Sequence, residues 1–291
     1  MKSGTERGRE LGLSIALGVL TLCTTLWAGL YHGGGEADSF GELLRSGAAW
    51  RAAAAHAVAL LCILLAHEFG HWFTARRHGV RVSPPLLLPG IPPIGTFGAA
   101  IRMELEPMRA GSLIRIAAWG PIAGFVALLP FLVVGVMLSE VKPLPEDVSG
   151  LLLLGDPLLL QGVVLQVHGV IPEGQELFLH PVAFAAWTGM LLTALNLLPV
   201  GQLDGGHVAY ALLGDRAVWV SRGALLVLVV LGLWGYPGWL VLAGLVAFVI
   251  GVRHPPVALE GPVSRAEAGL ALLALVLFIV TFTPAPIVPS A

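Results

Sequence analysis

The chain has 291 residues, of which 56% are hydrophobic and only 12% charged; 16 Lys/Arg stand against 18 Asp/Glu, a net charge of −2. A soluble domain carries about 25% charged residues, so this composition speaks against a soluble enzyme, a disordered chain and a nucleic-acid binder. The two cysteines, Cys23 and Cys62, both sit in apolar runs, which speaks against a disulfide framework or a Cys-ligated metal. Cys62 reads as a buried structural thiol.

A hydrocarbon core about 30 Å thick is crossed by roughly 20 apolar residues in a helix. Residues 11–31 fit, behind a basic leader of Lys2, Arg7 and Arg9. The stretch is too long for a signal-peptide core and no small-residue cleavage site follows it, so it is expected to remain as a first span. A second span is expected at 52–75 and a third at 112–138. Between them, 80–109 holds Pro84, Pro85, Pro89, Pro92 and Pro93, then the strand-like run 95–103. Proline cannot donate to a ladder, so the first part is expected to be irregular and the second a strand. Residues 140–180 read as a loop without a clear motif. A fourth span, 181–213, is interrupted by Pro199 and Gly205-Gly206. Residues 218–252, broken at Gly235-Tyr236-Pro237-Gly238, read as two short spans in a hairpin, and 266–282 is the last candidate. The expected fold class is an all-α polytopic membrane protein of six or seven transmembrane helices, with a small β element in a cytoplasmic-side loop.

Placing the N-terminus in the cytoplasm gathers thirteen of the sixteen basic residues on the inner side and leaves Arg45, Arg51 and Lys142 outside. The outer loops are acidic. The positive-inside rule therefore favours this orientation. Trp27, Trp50, Trp234 and Trp239 fit an interfacial belt.

Near the inner end of the second span stands His67-Glu68-Phe69-Gly70-His71, an H-E-x-x-H motif. Residues i and i+4 share a helix face, so both histidines can reach one zinc ion, and Glu68 falls beside it as a general base. Ionisable groups inside a span are costly and usually functional. A catalytic zinc takes three protein ligands. Asp204, the only carboxylate in 181–213, is the candidate for the third. It lies in Asn196-Leu197-Leu198-Pro199-Val200-Gly201-Gln202-Leu203-Asp204-Gly205-Gly206-His207, a broken helix of the kind tolerated at membrane depth only where its freed backbone groups are satisfied. A plain proline kink with Asp204 bonded to backbone is the other reading of those residues. His56, about 16 Å from His67 along the helix, is too far to share the metal. His207 reads either as a residue orienting a ligand or as a helix-end contact. His32, His78, His168, His180 and His254 receive no role.

H-E-x-x-H in one span with N-x-x-P and L-D-G in a later one resembles the site-2 protease family of intramembrane zinc metalloproteases. Gly120-Pro121-Ile122-Ala123-Gly124 is similar to the core of that family in the span between. The resemblance implies one Zn2+ per chain held by His67, His71 and Asp204, with Glu68 as the catalytic base. It places Asn196 where it can hold the substrate carbonyl or oxyanion, although a structural hydrogen bond in the broken helix explains Asn196 equally well. The function implied is hydrolysis of peptide bonds within or near spans of membrane-anchored protein substrates in the lipid bilayer, as in regulated intramembrane proteolysis, with no nucleic-acid partner. The chain is expected to be one membrane-embedded domain over 1–291, with a catalytic core at about 52–213, accessory spans at 11–31 and 218–282, and no PDZ or CBS domain. A multi-pass protein of a bacterial or archaeal cell membrane is expected, a thylakoid-type membrane being the alternative. The rival functions are a metal-ion transporter, which needs no base at Glu68, and a catalytically silent regulator that binds a membrane protein.

Overall fold

A computed structural model of the chain describes residues 4–33, 40–104, 107–145 and 152–288. Helix α1 (Gly4–Gly33) leads through the short α2 (Phe40–Arg45) to α3 (Gly47–Arg77). Ser46 caps α3 by accepting a hydrogen bond from the Ala49 N–H. After α3 come strands β1 (Leu86–Pro89), β2 (Thr96–Ala100) and β3 (Met108–Arg109), then α4 (Ala110–Leu138), β4 (Glu140–Pro143), β5 (Leu153–Leu154), α5 (Leu158–His168) and β6 (Gln175–Phe178). The second half holds α6 (Pro181–Asn196), α7 (Asp204–Leu213), α8 (Ala217–Trp234), α9 (Gly238–Leu245), β7 (Leu259–Glu260), α10 (Arg265–Thr281) and β8 (Ile287–Val288).

Four helical stretches among the described residues are long and apolar enough to cross a membrane: Gly8–His32, Gly47–Arg77, Ala110–Leu138 and Asp204–Trp234. The expected count was six or seven. The difference arises because α6 has 16 residues and α10 has 17, each short of the roughly 20 that span a bilayer. In addition, α7 leads into α8 through a single 3-10 turn, Gly214–Arg216. The sequence put a boundary between two spans there.

The centre of the molecule lies between α3, α4 and α6. Ile63, Leu128, Leu132, Phe184, Trp187 and Met190 bury one another, and the Trp187 indole N–H donates to the Gly155 carbonyl at 2.9 Å. A second cluster joins Leu113, Ile114 and Ala117 of α4 to Val208 and Tyr210 of α7. α10 is tied to α4 by Arg115 Nε and Glu267 Oε1 at 3.2 Å. Glu267 also completes a capping box with Ser264.

β1 and β2 form an antiparallel hairpin in register Leu86↔Ala100 to Pro89↔Thr96, with an irregularity between Leu88 and Pro89. Leu86–Pro89 of the proline-rich part is therefore a strand, contrary to the sequence expectation, whereas residues 90–94 after it are irregular, as expected. Pro84 and Pro85 precede it and Pro89 sits at its irregular end, so no interior ladder bond is lost. Its position also differs from a loop at one end of the spans. Ser14 donates to the Pro85 carbonyl at 2.5 Å, and His32 Nε2 meets the Pro93 carbonyl at 2.9 Å. Ser14 and His32 are 18 residues apart in α1, about 27 Å. The segment between their partners consists of the strand Leu86–Pro89 and the turn that follows it. The hairpin thus lies along α1 for nearly the thickness of a hydrocarbon core.

The 140–180 segment, read as featureless, holds an antiparallel β4–β6 ribbon around α5, and β5 pairs with β8. Cys62 is exposed rather than buried. Trp27, Trp50 and Trp234 are exposed, whereas Trp239 is buried and donates to the Pro284 carbonyl at 2.6 Å, which removes it from an interfacial belt.

Candidate active site

His67, Glu68 and His71 lie in the last third of α3, all buried. Asp204 is the first residue of α7, immediately after the break that follows Asn196, the last residue of α6. The break is compact because Gly205 and Gly206 pack against it. A methyl on Gly205 would overlap the Leu197 carbonyl, and one on Gly206 the Gly201 carbonyl. The Ser221 hydroxyl donates to the Pro199 carbonyl at 2.8 Å. A freed backbone group is thereby satisfied, as irregular backbone among apolar helices requires.

The break carries Asp204 onto the two histidines. Asp204 Oδ2 lies 3.2 Å from His67 Nε2 and 3.3 Å from His71 Nε2, and the two Nε2 atoms are 3.1 Å apart. Ligands at about 2.0–2.1 Å from a tetrahedral zinc stand about 3.3 Å from one another. The three donor atoms therefore have the spacing of one face of a zinc tetrahedron. The tautomer agrees: His71 Nδ1–H donates to the Ile116 carbonyl at 2.8 Å, which leaves the Nε2 lone pair pointing at the other two donors. Glu68 Oε2 is buried and has no hydrogen-bond partner among the described residues. A buried carboxylate oxygen is costly unless something shares it, and here it adjoins the donor cluster. The residues present fit zinc.

Gly120-Pro121-Ile122-Ala123-Gly124 turns out to be the wall behind these rings. A methyl on Gly120 would fall inside the His71 imidazole, and one on Gly124 would come within 3.1 Å of His67 Cβ. Gly120 and Gly124 are i and i+4 on α4, so one glycine face admits both histidines. Asn196 Nδ2 lies 3.4 Å from His67 Nε2, close to the donors. His56 is remote from them, against His32 and Phe184 near the start of α6.

One arrangement was not legible in the sequence. His254 Nδ1–H donates to the Pro255 carbonyl at 2.6 Å, so its Nε2 accepts from His207 Nδ1–H at 2.7 Å. The His254 ring stacks on Tyr210 with an interplanar angle of 7°. Burial holds the His254 imidazole below its usual range, against the pull of the Pro255 bond, which keeps it neutral and able to accept. The segment after α9 is thus fastened to α7 one turn beyond Asp204. His207 and His254 are 47 residues apart, and no spacing rule joins them.

The sequence model of Peptidase family M50 matches residues 55–231, which include every residue of the donor cluster. The chain belongs to Peptidase family M50. This is the site-2 protease family that the paired motifs resemble. Among its relatives, the chain is 33% identical over 167 residues to a probable zinc metalloprotease EGY2, chloroplastic, of Oryza sativa subsp. indica, covering 55% of this chain and 29% of that protein. It is 30% identical to the protein of the same name from Arabidopsis thaliana over 167 residues, 56% of this chain and 29% of that one. To a probable zinc metalloprotease EGY1, chloroplastic, of Arabidopsis thaliana it is 32% identical over 235 residues, 76% of this chain and 41% of the relative. The chain spans less than half the length of each of these relatives. No solved structure matches it. This M50 chain thus combines a donor set that fits zinc with helices long and apolar enough to cross a membrane.

Proposed function

We propose that this M50 protein is an intramembrane zinc metalloprotease that cuts membrane-anchored proteins within or near their spans. The observation that carries the reading is the convergence of His67, His71 and Asp204 beside the unpartnered Glu68 carboxylate. His67, His71 and Asp204 are the proposed ligands and Glu68 the proposed catalytic base. Zinc held there supplies a Lewis acid for the scissile carbonyl and makes water nucleophilic at neutral pH. Glu68 takes the proton that water gives up as its oxygen bonds to the carbonyl carbon. Glu68 then delivers that proton to the amide nitrogen as the C–N bond breaks. Asn196 donates to the substrate carbonyl oxygen from beside His67. The close burial of the cluster keeps bulk water from competing with these contacts.

A substrate helix hides its carbonyls in hydrogen bonds and must unwind before it is cut. β2 offers a partner for the unwound chain. It is one strand of a two-stranded sheet, so its second edge is unpaired within that sheet, and edge pairing suits an extended peptide. Ala99 packs against the cluster that holds Leu60 and Leu64 of α3 together with Leu87, a part of α3 one to two helical turns before His67. The relatives' names favour a thylakoid-type membrane over the bacterial or archaeal one, with the basic ends of the spans on the side of the N-terminus.

The test compares the wild-type chain with Glu68→Gln in liposomes containing tagged single-span proteins. The wild type should generate new termini inside the span. Glu68→Gln should keep about one zinc per chain and lose at least about a hundredfold in cleavage rate. Cleavage by Glu68→Gln at the wild-type rate overturns the mechanism. Zinc flux that is indifferent to Glu68→Gln would support the transporter reading instead.

A further inference from the structure

The outward face of α3 carries a groove that the metal cluster does not use. His67, Glu68 and His71 are buried in the bundle, whereas Phe69 and Phe73 follow one another at i, i+4 with Arg77 next in the series, and all three face outward. On α4, Trp119 stands opposite them and Arg115 lies one turn before it. The two helices meet closely at Gly70, where a methyl would overlap the Trp119 carbonyl and press on Ala123. Between the two aromatic walls runs a groove of about 740 Å3. Phe73 is 60% exposed and Trp119 43%, so no described element covers it.

The groove reaches from Ala66 to Arg77, eleven residues of helix, about 16 Å. That is half of a hydrocarbon core of about 30 Å, the depth of one lipid leaflet. A protein helix crossing the bilayer would need a groove twice as long. One end is apolar, and the other is lined by Arg77, His78 and Arg115. Burial and the neighbouring Arg115 hold His78 below its usual range, so the fixed cations are the two arginines. Arg115 shares its Nε with Glu267 at 3.2 Å and keeps a half-exposed side chain. Arg77 has no ion pair among the described residues. Two guanidinium groups against one carboxylate leave a net positive mouth, and guanidinium is the side chain that best matches phosphate oxygens.

We infer that this groove is a binding site for an anionic phospholipid, with one acyl chain between Phe73 and Trp119 and the headgroup phosphate on Arg77 and Arg115. The lipid would sit directly behind Gly70, on the helix that carries Glu68. This inference needs only a membrane-embedded chain and stands apart from the peptidase reading.

The test uses the full chain in nanodiscs and lipids with brominated acyl chains, either phosphatidylglycerol or phosphatidylcholine. Bromine quenches tryptophan on contact, and subtraction of Trp119→Phe isolates the share of Trp119. Phosphatidylglycerol should quench that share at about a fivefold lower mole fraction than phosphatidylcholine, the preference expected of one basic residue at an anionic headgroup. Arg77→Gln should abolish most of the preference, and Arg253→Gln should leave it intact. Native mass spectrometry of the wild type gives a reading free of variants: one phosphatidylglycerol retained per chain, in preference to phosphatidylcholine, from an equimolar mixture. Equal quenching and equal retention of the two lipids would mean an ordinary lipid annulus and overturn the proposal. Absence of quenching of Trp119 by either lipid would mean that protein covers the groove, and would overturn it as well.

Discussion

His71 is oriented at both ends of its ring. Nδ1–H is held by the Ile116 carbonyl at 2.8 Å, and the ring lies against Gly120, where a methyl has no room. A substitution that removes no ligand should therefore cost metal. Gly120→Ala is expected to weaken zinc binding by about 10–100-fold, the usual penalty for disturbing what orients a ligand. Gly18→Ala, with nothing within 4 Å of the added methyl, should leave it unchanged. Metal content after dialysis against graded zinc buffers separates the two; equal zinc retention would mean that α4 does not brace the ring. His71→Ala and Asp204→Asn should each lose the metal outright. Treatment with 1,10-phenanthroline should abolish cleavage by the wild type, and added Zn2+ should restore it. Failure of zinc to restore activity to folded protein would count against a zinc site.

The β1–β2 hairpin shows how an element is fixed by partners that the sequence does not name. Gly95 has φ +83°, and a side chain there would press on the Thr24 carbonyl, Ala28 and Thr25 of α1 at 2.7–2.8 Å. Gly95→Val combines a left-handed backbone with a close contact, and should destabilise the hairpin's docking by about 1–3 kcal/mol. The expected readout is faster amide exchange over residues 86–100 with zinc content unchanged. Unchanged exchange would mean that α1 does not seat the turn. The contrast with the metal cluster is instructive about legibility. His67 and His71 lie four residues apart on one helix, and Asp204 is the sole acid in its stretch, so local rules single them out. The strand in 86–89 lay hidden behind prolines, because those at its boundaries cost no ladder bonds and the irregular end accommodates Pro89. The course of the hairpin along α1 depends on Ser14 and His32, which are 71 and 61 residues from their partners. The His207–His254 bond is equally non-local. The first span at 11–31 and the break at Pro199 and Gly205-Gly206 were readable from apolarity and helix-breaking residues. By contrast, the lengths of α6 and α10, 16 and 17 residues, were not readable, because apolarity alone does not reveal how few residues a helix will keep.

At the scale of the whole molecule, the cluster's depth sets where a substrate can be cut. Glu68 is nine residues before Arg77 and 21 after Gly47 in α3, about 14 Å from the basic end and about 32 Å from the other. Asp204 arrives at the same depth by a different route, at the start of α7 rather than along a continuous helix, and it meets both histidines within 3.3 Å. Two segments that share no local constraint therefore agree on a level in the half of the bundle nearer Arg76 and Arg77. On the proposed mechanism a peptide bond must come to that level to be hydrolysed, and the edge of β2 (Thr96–Ala100) left unpaired within its two-stranded sheet is where the unwound chain would pair. Cuts in a single-span substrate should fall in the half of the span on the side of the basic helix ends, and should release the portion on that side. Proline scanning through Thr96–Ala100 should reduce cleavage at one or more positions while zinc content holds, because an edge strand that pairs with substrate needs its N–H groups. Mass-spectrometric mapping of the new termini, together with cysteine labelling from each side of sealed vesicles, fixes both the level and the side. Cuts clustered at the opposite face would refute the depth assigned from α3. Labelling of the basic ends from the side opposite the N-terminus would refute the orientation.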